Sequence, residues 1–243
     1  MIKGLTEYDK FKIIHPLPED TRFTKNDIPI IKKEKFDING ISKMKILNGC
    51  NINSSKNINN TILINFNYDN ILNRIWNDPL KYVPRYQAFY AVCTPDYSIY
   101  SNMNLNEIRY NVYKNRWLGC IWQHYGIKVI PTIQWGDERT FDFCFDGVEK
   151  GSVVIVSTLG CQNNKESFLK GFQELKRRIE PELILVFGKL IPGMEGKFIQ
   201  YKYEESFNTK EHDYEQLALF SISRVIEIKE GGEIYYGEER SLC

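Results

Sequence analysis

The sequence predicts an α/β protein built on a predominantly parallel sheet of about five strands with crossover helices. Five short runs are rich in β-branched residues and almost continuously apolar. Such nearly continuous apolar runs are typical of strands in a parallel sheet that is covered on both faces. Helical patterns separate most of the runs, and such alternation indicates parallel strand connections. The sheet is either doubly wound or part of a barrel, and the sequence does not separate these two architectures.

The five predicted strands are shorter than typical helices, which argues against buried helices at the same positions. They are TILINF at 61–66, AFYAVC at 88–93, IKVIPTIQW at 127–135, SVVIVST at 152–158 and ELILVFG at 182–188.

Apolar residues at helical spacing predict the crossovers between these strands. A short helix over 70–81 stops near Pro79, and a long one over 104–125 is ended by Gly126. A third helix over 164–180 ends at Pro181. Residues 136–151 give the weakest pattern, which predicts one helix around FDFCF.

The two ends of the chain differ from this central pattern. Residues 1–60 are expected to form an irregular N-terminal extension, with turn-favouring residues over 48–60. Residues 61–196 form the predicted α/β core. Residues 197–243 are expected to form a C-terminal appendage packed on the core. Within the appendage, 197–207 and 231–239 are strand or loop on either side of a short helix at 214–222.

Composition excludes several classes of protein. The 243 residues contain 32 Lys and Arg against 31 Asp and Glu, a formal net charge of +1. This balance argues against attachment to DNA or an anionic membrane by bulk charge. No apolar run reaches the roughly 18–20 residues that span a bilayer, and the N-terminus lacks the apolar stretch of a signal peptide. The six cysteines show no metal-binding spacing. We therefore expect a soluble, cytoplasmic protein with no membrane partner.

Ligands bind beyond the carboxyl ends of parallel strands, so the residues that follow each run are candidate site residues. Asp96, Asp137 and Glu138 are predicted as the catalytic residues and as ligands of Mg²⁺ or Mn²⁺. For Asp96, a helix cap or an Asx turn is an equally good interpretation. For Asp137 and Glu138, the alternative is an ion pair with Arg139 that fixes a loop.

Further residues at the strand ends are predicted to bind the substrate. Trp135 is placed to stack on a base or a sugar. Backbone N–H groups around Ser157, Thr158 and Gly160 can face an anion. Arg139 and Lys189 can bind a phosphate, although such a lysine is more often simply solvated.

Several segments carry a resemblance to a known family. They lie at 93–103, 111–119, 126–147, 151–160 and 168–189, and the most specific is WGDERTFDFCFDG. Across roughly residues 86–196 the chain resembles a domain-of-unknown-function family found in bacteria, phages and integrative or plasmid elements. The resemblance implies a phage or mobile-element context and supplies no catalytic residues.

Two functions from different classes follow from the polar strand ends. The first is a metal-assisted hydrolase or phosphoryl-transfer enzyme acting on a nucleotide or nucleic-acid phosphate. The second is a non-catalytic module that binds a nucleotide, a nucleic acid or a host protein. A carbohydrate-active barrel with paired carboxylates is a weaker third possibility.

Overall fold

A computed structural model gives the positions of residues 4–49, 58–161, 164–206 and 225–228. Within this part of the chain, seven parallel strands and one antiparallel strand form two sheets of four. The strands are β1 (Lys45–Asn48), β2 (Thr61–Ile64), β3 (Ala91–Cys93), β4 (Val129–Ile130), β5 (Val153–Ser157), β6 (Leu183–Phe187), β7 (Gly196–Tyr201) and β8 (Val225–Ile228).

The strand order follows the chain order in both sheets. The first sheet is β1-β2-β3-β4 and the second is β5-β6-β7-β8, with β8 antiparallel to β7. A parallel bridge between Thr132 and Ile155 connects the two sheets. A doubly wound sheet requires a reversal of strand order, and neither sheet has one. The predicted parallel α/β architecture is therefore confirmed. The sequential strand order is that of the wall of a barrel. Among the described residues, this wall does not close into a barrel.

All seven parallel strands contribute to one buried cluster, which forms the inner face of this wall. Its members from the strands are Ile46, Ile62, Ile64, Ala91, Cys93, Ile130, Val153, Ile155, Leu183, Leu185, Phe187, Ile199 and Tyr201. One hydrogen bond connects the first and the seventh strand of the wall. The hydroxyl of Tyr201, in β7, donates to the carbonyl oxygen of Met44, the residue before β1, at 3.3 Å. Alternate residues of each strand point outward and pack under the helices.

The helices cover the outer face. They are α1 (Glu7–Ile14), α2 (Ile38–Ile41), α3 (Asp69–Asn77), α4 (Val83–Tyr86), α5 (Leu105–His124), α6 (Phe141–Cys144) and α7 (Lys165–Ile179). The predictions over 104–125 and 164–180 are confirmed as α5 and α7. Gly126 has φ +76°, which permits the left-handed turn that ends α5. The weakest predicted crossover contains only α6, preceded by a 3₁₀ turn at Glu138–Thr140.

Regular structure also occurs in the two terminal regions. β1 lies inside the stretch that was expected to be irregular, where α1 and α2 are found as well. A strand of four residues followed by Gly49 is too short to stand out as an apolar run. Residues 196–201 form β7, so the strand interpretation of this segment holds and it belongs to the second sheet. The segments 214–222 and 231–239 lie outside the described residues.

Trp135 belongs to the packing beneath α7. Its ring lies 5.0 Å from the Phe168 ring and 5.8 Å from the Phe145 ring, measured between centroids. A Cβ atom added to Gly171 would lie 2.1 Å from two atoms of the indole ring. Gly171 therefore lets α7 approach Trp135 closely, and this contact explains the glycine within the helix.

We expect Gly171→Ala to reduce the free energy of unfolding by about 1–3 kcal/mol, because the added methyl overpacks the contact with Trp135. Alanine has a higher helix propensity by about 1 kcal/mol, so a net loss can come only from the clash. Urea unfolding measures the effect. Gly4→Ala is the control, since nothing lies within 4 Å of a Cβ at Gly4. Equal stabilities of the two variants would contradict the prediction.

Candidate functional site at the carboxyl ends of the strands

Buried polar atoms without partners mark one edge of the structure. We define the carboxyl-end edge as the residues that follow four parallel strands: 65–69 after β2, 94–98 after β3, 158–161 after β5 and 188–189 after β6. The described residues contain four buried side-chain polar atoms without a hydrogen-bond partner. Three of them, in Asn65, Asp96 and Thr158, lie at this edge. Such atoms are rare in native proteins, which makes this edge the candidate site.

Asn65 is 1% exposed and holds the first of these atoms. Its Nδ2 donates to the Cys93 carbonyl at 2.9 Å, while its Oδ1 has no partner. A Cβ atom at Gly49 would lie 2.4 Å from this Oδ1, so the close approach requires glycine. The Asn65 carbonyl accepts the Asp96 N–H at 3.0 Å, which places these two residues side by side.

Asp96 lies in the loop after β3, and a side chain of α5 anchors this loop. Asn115 on α5 donates from Nδ2 to the Pro95 carbonyl at 2.7 Å. The Asp96 Oδ1 is enclosed and has no partner. Burial raises the pKa of Asp96 to about 8, and the neighbouring Asp69 carboxylate adds to the rise. This rise favours the protonated form of Asp96.

Asp69 begins α3 and faces the same loop. Its Oδ1 accepts the Ser98 N–H at 2.9 Å and the Ser98 hydroxyl at 3.1 Å. Lys114, only 6% exposed, lies nearby, with its Nζ 3.8 Å from the Tyr97 ring centroid. Burial lowers the pKa of Lys114 and the Asp69 charge opposes this change. The edge therefore contains two interacting carboxyl groups in different environments.

The turn after β5 brings Thr158 and Cys161 to the edge. Thr158 is 1% exposed, its N–H donates to the Phe187 carbonyl at 3.0 Å, and its Oγ1 has no partner. Burial raises the pKa of the Cys161 thiol, and the Asp96 charge raises it further. Because the pKa is raised, Cys161 lacks the thiolate character of a catalytic nucleophile.

The other residues predicted to bind an anion lie on the same side. The Ser157 hydroxyl accepts the Leu159 N–H at 3.2 Å. Gly160 is exposed and has φ +78°, and Lys189 is exposed directly after β6. The structure therefore places Ser157, Thr158, Gly160 and Lys189 at the ends of the neighbouring strands β5 and β6.

Asp137, Glu138 and Arg139 form a different site. Arg139 Nη2 lies 2.9 Å from Asp137 Oδ2, and Lys170 Nζ lies 3.1 Å from Glu138 Oε1. The hydrogen bonds from Arg139 lower the pKa of Asp137. These groups line an open pocket of about 390 Å³ at the start of α7, and Asp96 is not among its lining residues. The ion pair between Asp137 and Arg139 matches the loop-fixing interpretation.

The predicted metal ligands are not brought together. Among the described residues, no group of three His, Cys, Asp or Glu side chains is arranged to hold a metal ion. The loop of Asp96 is bonded to Asp69 through Ser98, whereas Asp137 and Glu138 form ion pairs with Arg139 and Lys170. Trp135, predicted to stack on a ligand, is packed against Gly171 and Phe168.

Sequence reasoning missed Asn65, Asp69 and Lys114. Asn65 was counted inside the predicted strand 61–66, whereas β2 ends at Ile64, and Asp69 follows that strand. The carboxyl-end argument applies to this strand as well as to the other four. Lys114 gives no signal in the sequence, because its burial depends on how α3 packs against α5. Its Nζ donates to Asn73 of α3 at 3.3 Å.

Comparison with known proteins identifies the family. A family model described as a domain of unknown function, DUF4417, matches residues 22–204. The chain belongs to the DUF4417 family. The matched segment includes β1 to β7 and the whole carboxyl-end edge. No solved structure matches the chain.

Relatives of this DUF4417 protein occur in phages. It is 42% identical over 119 residues to the Gene 1 protein of Mycobacterium phage D29, a match that covers 48% of this chain and 44% of the relative. It is 42% identical over 118 residues to the Gene 1 protein of Mycobacterium phage L5, covering 47% and 52%. The chain thus spans about half the length of these curated relatives. The expected phage-type family is confirmed. In the described part of the chain, no helix has both the length and the apolar character needed to cross a membrane.

Proposed function

We propose that this DUF4417 protein is a phage-type, cytoplasmic protein that binds a nucleotide at the carboxyl-end edge. The observation that carries the proposal is the group of three buried, unpartnered polar atoms in Asn65, Asp96 and Thr158. An amide oxygen, a carboxyl group and a hydroxyl can each accept a hydrogen bond. The N–H and O–H groups of a base and a ribose are suitable donors.

Neighbouring groups suit the other parts of a nucleotide. Tyr68 and Tyr100 lie in the loops after β2 and β3, with 83% and 62% of their surfaces exposed. Exposed aromatic rings stack on bases. The turn around Gly160 and the exposed Lys189 suit a phosphate. A near-neutral chain favours such a small ligand over long DNA.

Thr158→Val tests this proposal without changing the shape of the side chain. We expect the variant to keep or increase the free energy of unfolding, because it removes a buried hydroxyl that has no partner. Its affinity for a nucleotide is expected to fall by about tenfold, equivalent to one lost hydrogen bond. Calorimetric titration with nucleoside mono-, di- and triphosphates, in chelator and in Mg²⁺, measures the affinity.

Ser167→Ala is the matched control, since Ser167 lines the open pocket beside Glu138. It is expected to bind like the parent. The proposal fails if the parent binds no nucleotide, or if Thr158→Val binds as tightly as the parent. Capture of a nucleic acid or a host protein in place of a nucleotide would assign the edge to that partner.

A second candidate function is metal-assisted hydrolysis or phosphoryl transfer on the nucleotide phosphate. The pair of carboxyl groups in Asp69 and Asp96, close to the turn after β5, favours it. A divalent cation polarises a phosphoryl oxygen and lowers the pKa of a bound water. Turnover of a nucleotide in Mg²⁺ that Asp69→Asn abolishes, with binding retained, supports the enzyme. Binding without turnover in the parent supports the non-catalytic module.

A further inference from the structure

A basic and aromatic surface lies at the opposite end of the strands from the carboxyl-end edge. We define it as the amino-end patch, formed by Phe36, Lys43, Lys45, Tyr90 and Lys128. We propose that the amino-end patch binds single-stranded nucleic acid. The proposal goes beyond the nucleotide site of the proposed function and does not depend on that site.

The parallel register of the first sheet brings the patch together. Lys45 begins β1 and pairs with Thr61 of β2. The Tyr90 N–H donates to the Thr61 carbonyl at 3.0 Å, which places Tyr90 at the start of the next strand, β3. Lys128 directly precedes β4, and its carbonyl accepts the Val92 N–H at 2.9 Å. Lys45, Tyr90 and Lys128 therefore follow one another along the amino-end edge of the sheet.

Two aromatic rings and one ammonium group form the centre of the patch. Lys128 Nζ lies 5.5 Å from the Tyr90 ring centroid and 5.9 Å from the Phe36 ring centroid. The two ring centroids are 6.1 Å apart. Both rings pack against the buried inner cluster of the wall and remain partly exposed. A fixed, partly exposed ring beside a cation can stack on a base while the cation binds the adjoining phosphate.

The patch carries an excess of positive charge. Lys43, Lys45 and Lys128 are exposed, and within the described part of the chain neither Lys43 nor Lys128 has an acidic partner. The acid next to Phe36 in the chain is Asp37, whose Oδ1 accepts the Asn39 N–H at 3.1 Å and caps α2. Three exposed lysines beside one such acid give this surface the charge that phosphates require.

Ion pairs distinguish the same end of the second sheet. There, Lys33 pairs with Glu182 at 3.2 Å, and Lys150 pairs with Glu180. The first sheet is therefore the part of this end where unpaired lysines and partly exposed rings occur together.

The spacing of the charges indicates the type of nucleic acid. Three strand spacings, about 14 Å, separate the start of β1 from the start of β4, so Lys45 and Lys128 suit an extended anion better than a single phosphate group. The rings favour a single strand, because its bases are free to stack on an aromatic side chain. The bases of a duplex are already stacked on one another. A net charge of +1 also argues against a duplex held by bulk charge.

Fluorescence anisotropy of a labelled oligothymidylate, titrated with the full chain from about 50 mM salt upward, tests the proposal. We expect log K to fall with log [salt] with a slope of about −2, since each of three lysine–phosphate contacts contributes about −0.7. Lys43→Gln and Lys128→Gln are each expected to weaken binding and to reduce the steepness of this slope by about 0.7. Tyr90→Leu keeps an apolar side chain against the inner cluster. It is expected to weaken binding by at least about fivefold, because a stacking ring is lost.

Lys165→Gln is the matched control. Lys165 is exposed at the start of α7, which follows the carboxyl end of β5. Its substitution changes the net charge by the same amount at the opposite end of the strands. The control is expected to bind the oligothymidylate like the parent, with the same salt dependence.

Absence of oligothymidylate binding by the parent overturns the proposal. Equal losses in Lys165→Gln and Lys43→Gln would place the strand away from the patch. A duplex or polyglutamate that binds as tightly as the single strand would show that charge alone is recognised, which also rejects it. If Tyr90→Leu does not fold, Phe36→Leu replaces it, and unchanged affinity in this variant and in both lysine variants refutes the patch. Absence of nucleotide binding, with oligothymidylate binding retained, would reject the proposed function and leave this inference standing.

Discussion

In the presence of chelator, the free energy of unfolding is expected to decrease as the pH rises from about 4 to about 8, and Asp96→Asn is expected to remove most of this decrease. The cause is the burial of the Asp96 carboxyl beside Asp69, which raises its pKa from 3.8 to about 8. A shift of this size sets an upper limit of about 6 kcal/mol on the effect.

The direction follows from proton uptake. Below the pKa of the unfolded chain, Asp96 is protonated in both states and has no effect on the pH dependence. Between the two pKa values, the unfolded chain loses this proton while the folded chain keeps it, so folding becomes less favourable as the pH rises. Above the folded-state pKa, both states are ionised and the loss stays constant. The asparagine side chain of the Asp96→Asn variant has no proton to lose.

Urea unfolding of the parent and of Asp96→Asn, at about pH 5 and about pH 8.5, measures this difference. The variant gains stability relative to the parent at the higher pH. Exposed Asp142 provides the control, and Asp142→Asn is expected to follow the pH profile of the parent. Parallel profiles for Asp96→Asn and the parent would show that Asp96 ionises normally in the folded protein.

The fold was largely predictable because its central strands are long enough and apolar enough to be recognised. The runs at 152–158 and 182–188 became β5 and β6, whose residues are buried on both faces except Ser157, which is half-buried. The strand order was not predictable, because it depends on pairings between distant segments. β1 was missed for a local reason, since its four residues are flanked by turn-forming residues.

The candidate site was predictable in its position and only partly in its residues. Asp96 was correctly placed at a strand end, although its enclosure depends on contacts from Asn65 and Asn115. The acidic pair at Asp137 and Glu138 drew attention because the two residues are adjacent in sequence. Each of them has a basic partner close by in space, Arg139 and Lys170. The sequence therefore shows where acidic residues occur, but it does not show which of them lack a basic partner in the folded protein.

Arg116→Met is expected to reduce the free energy of unfolding by about 3–5 kcal/mol, the largest effect expected for a single substitution outside the edge. Arg116 is 1% exposed, and burial lowers its pKa to about 10, which leaves it charged at neutral pH. Its guanidinium donates to the carbonyls of Thr132 at 3.1 Å, Cys144 at 2.9 Å and Asp146 at 2.9 Å. Methionine preserves much of the volume and removes these three hydrogen bonds, while the Thr132 carbonyl keeps the one from Asn115 Nδ2 at 3.3 Å.

Arg116→Lys tests whether the positive charge alone is sufficient, or whether the planar geometry of the guanidinium is also needed for stability. An ammonium on a flexible stem cannot reproduce the planar fork that reaches three carbonyls at once, so this variant is also expected to lose stability. Arg177→Met is the control, because Arg177 forms an exposed pair with Glu174 and such pairs contribute about 1 kcal/mol or less. Urea unfolding at neutral pH compares the three variants. If Arg116→Met were as stable as the control, hydrophobic packing would be compensating for the lost hydrogen bonds. The guanidinium would then not be the group that joins α5 to the end of β4 and to α6.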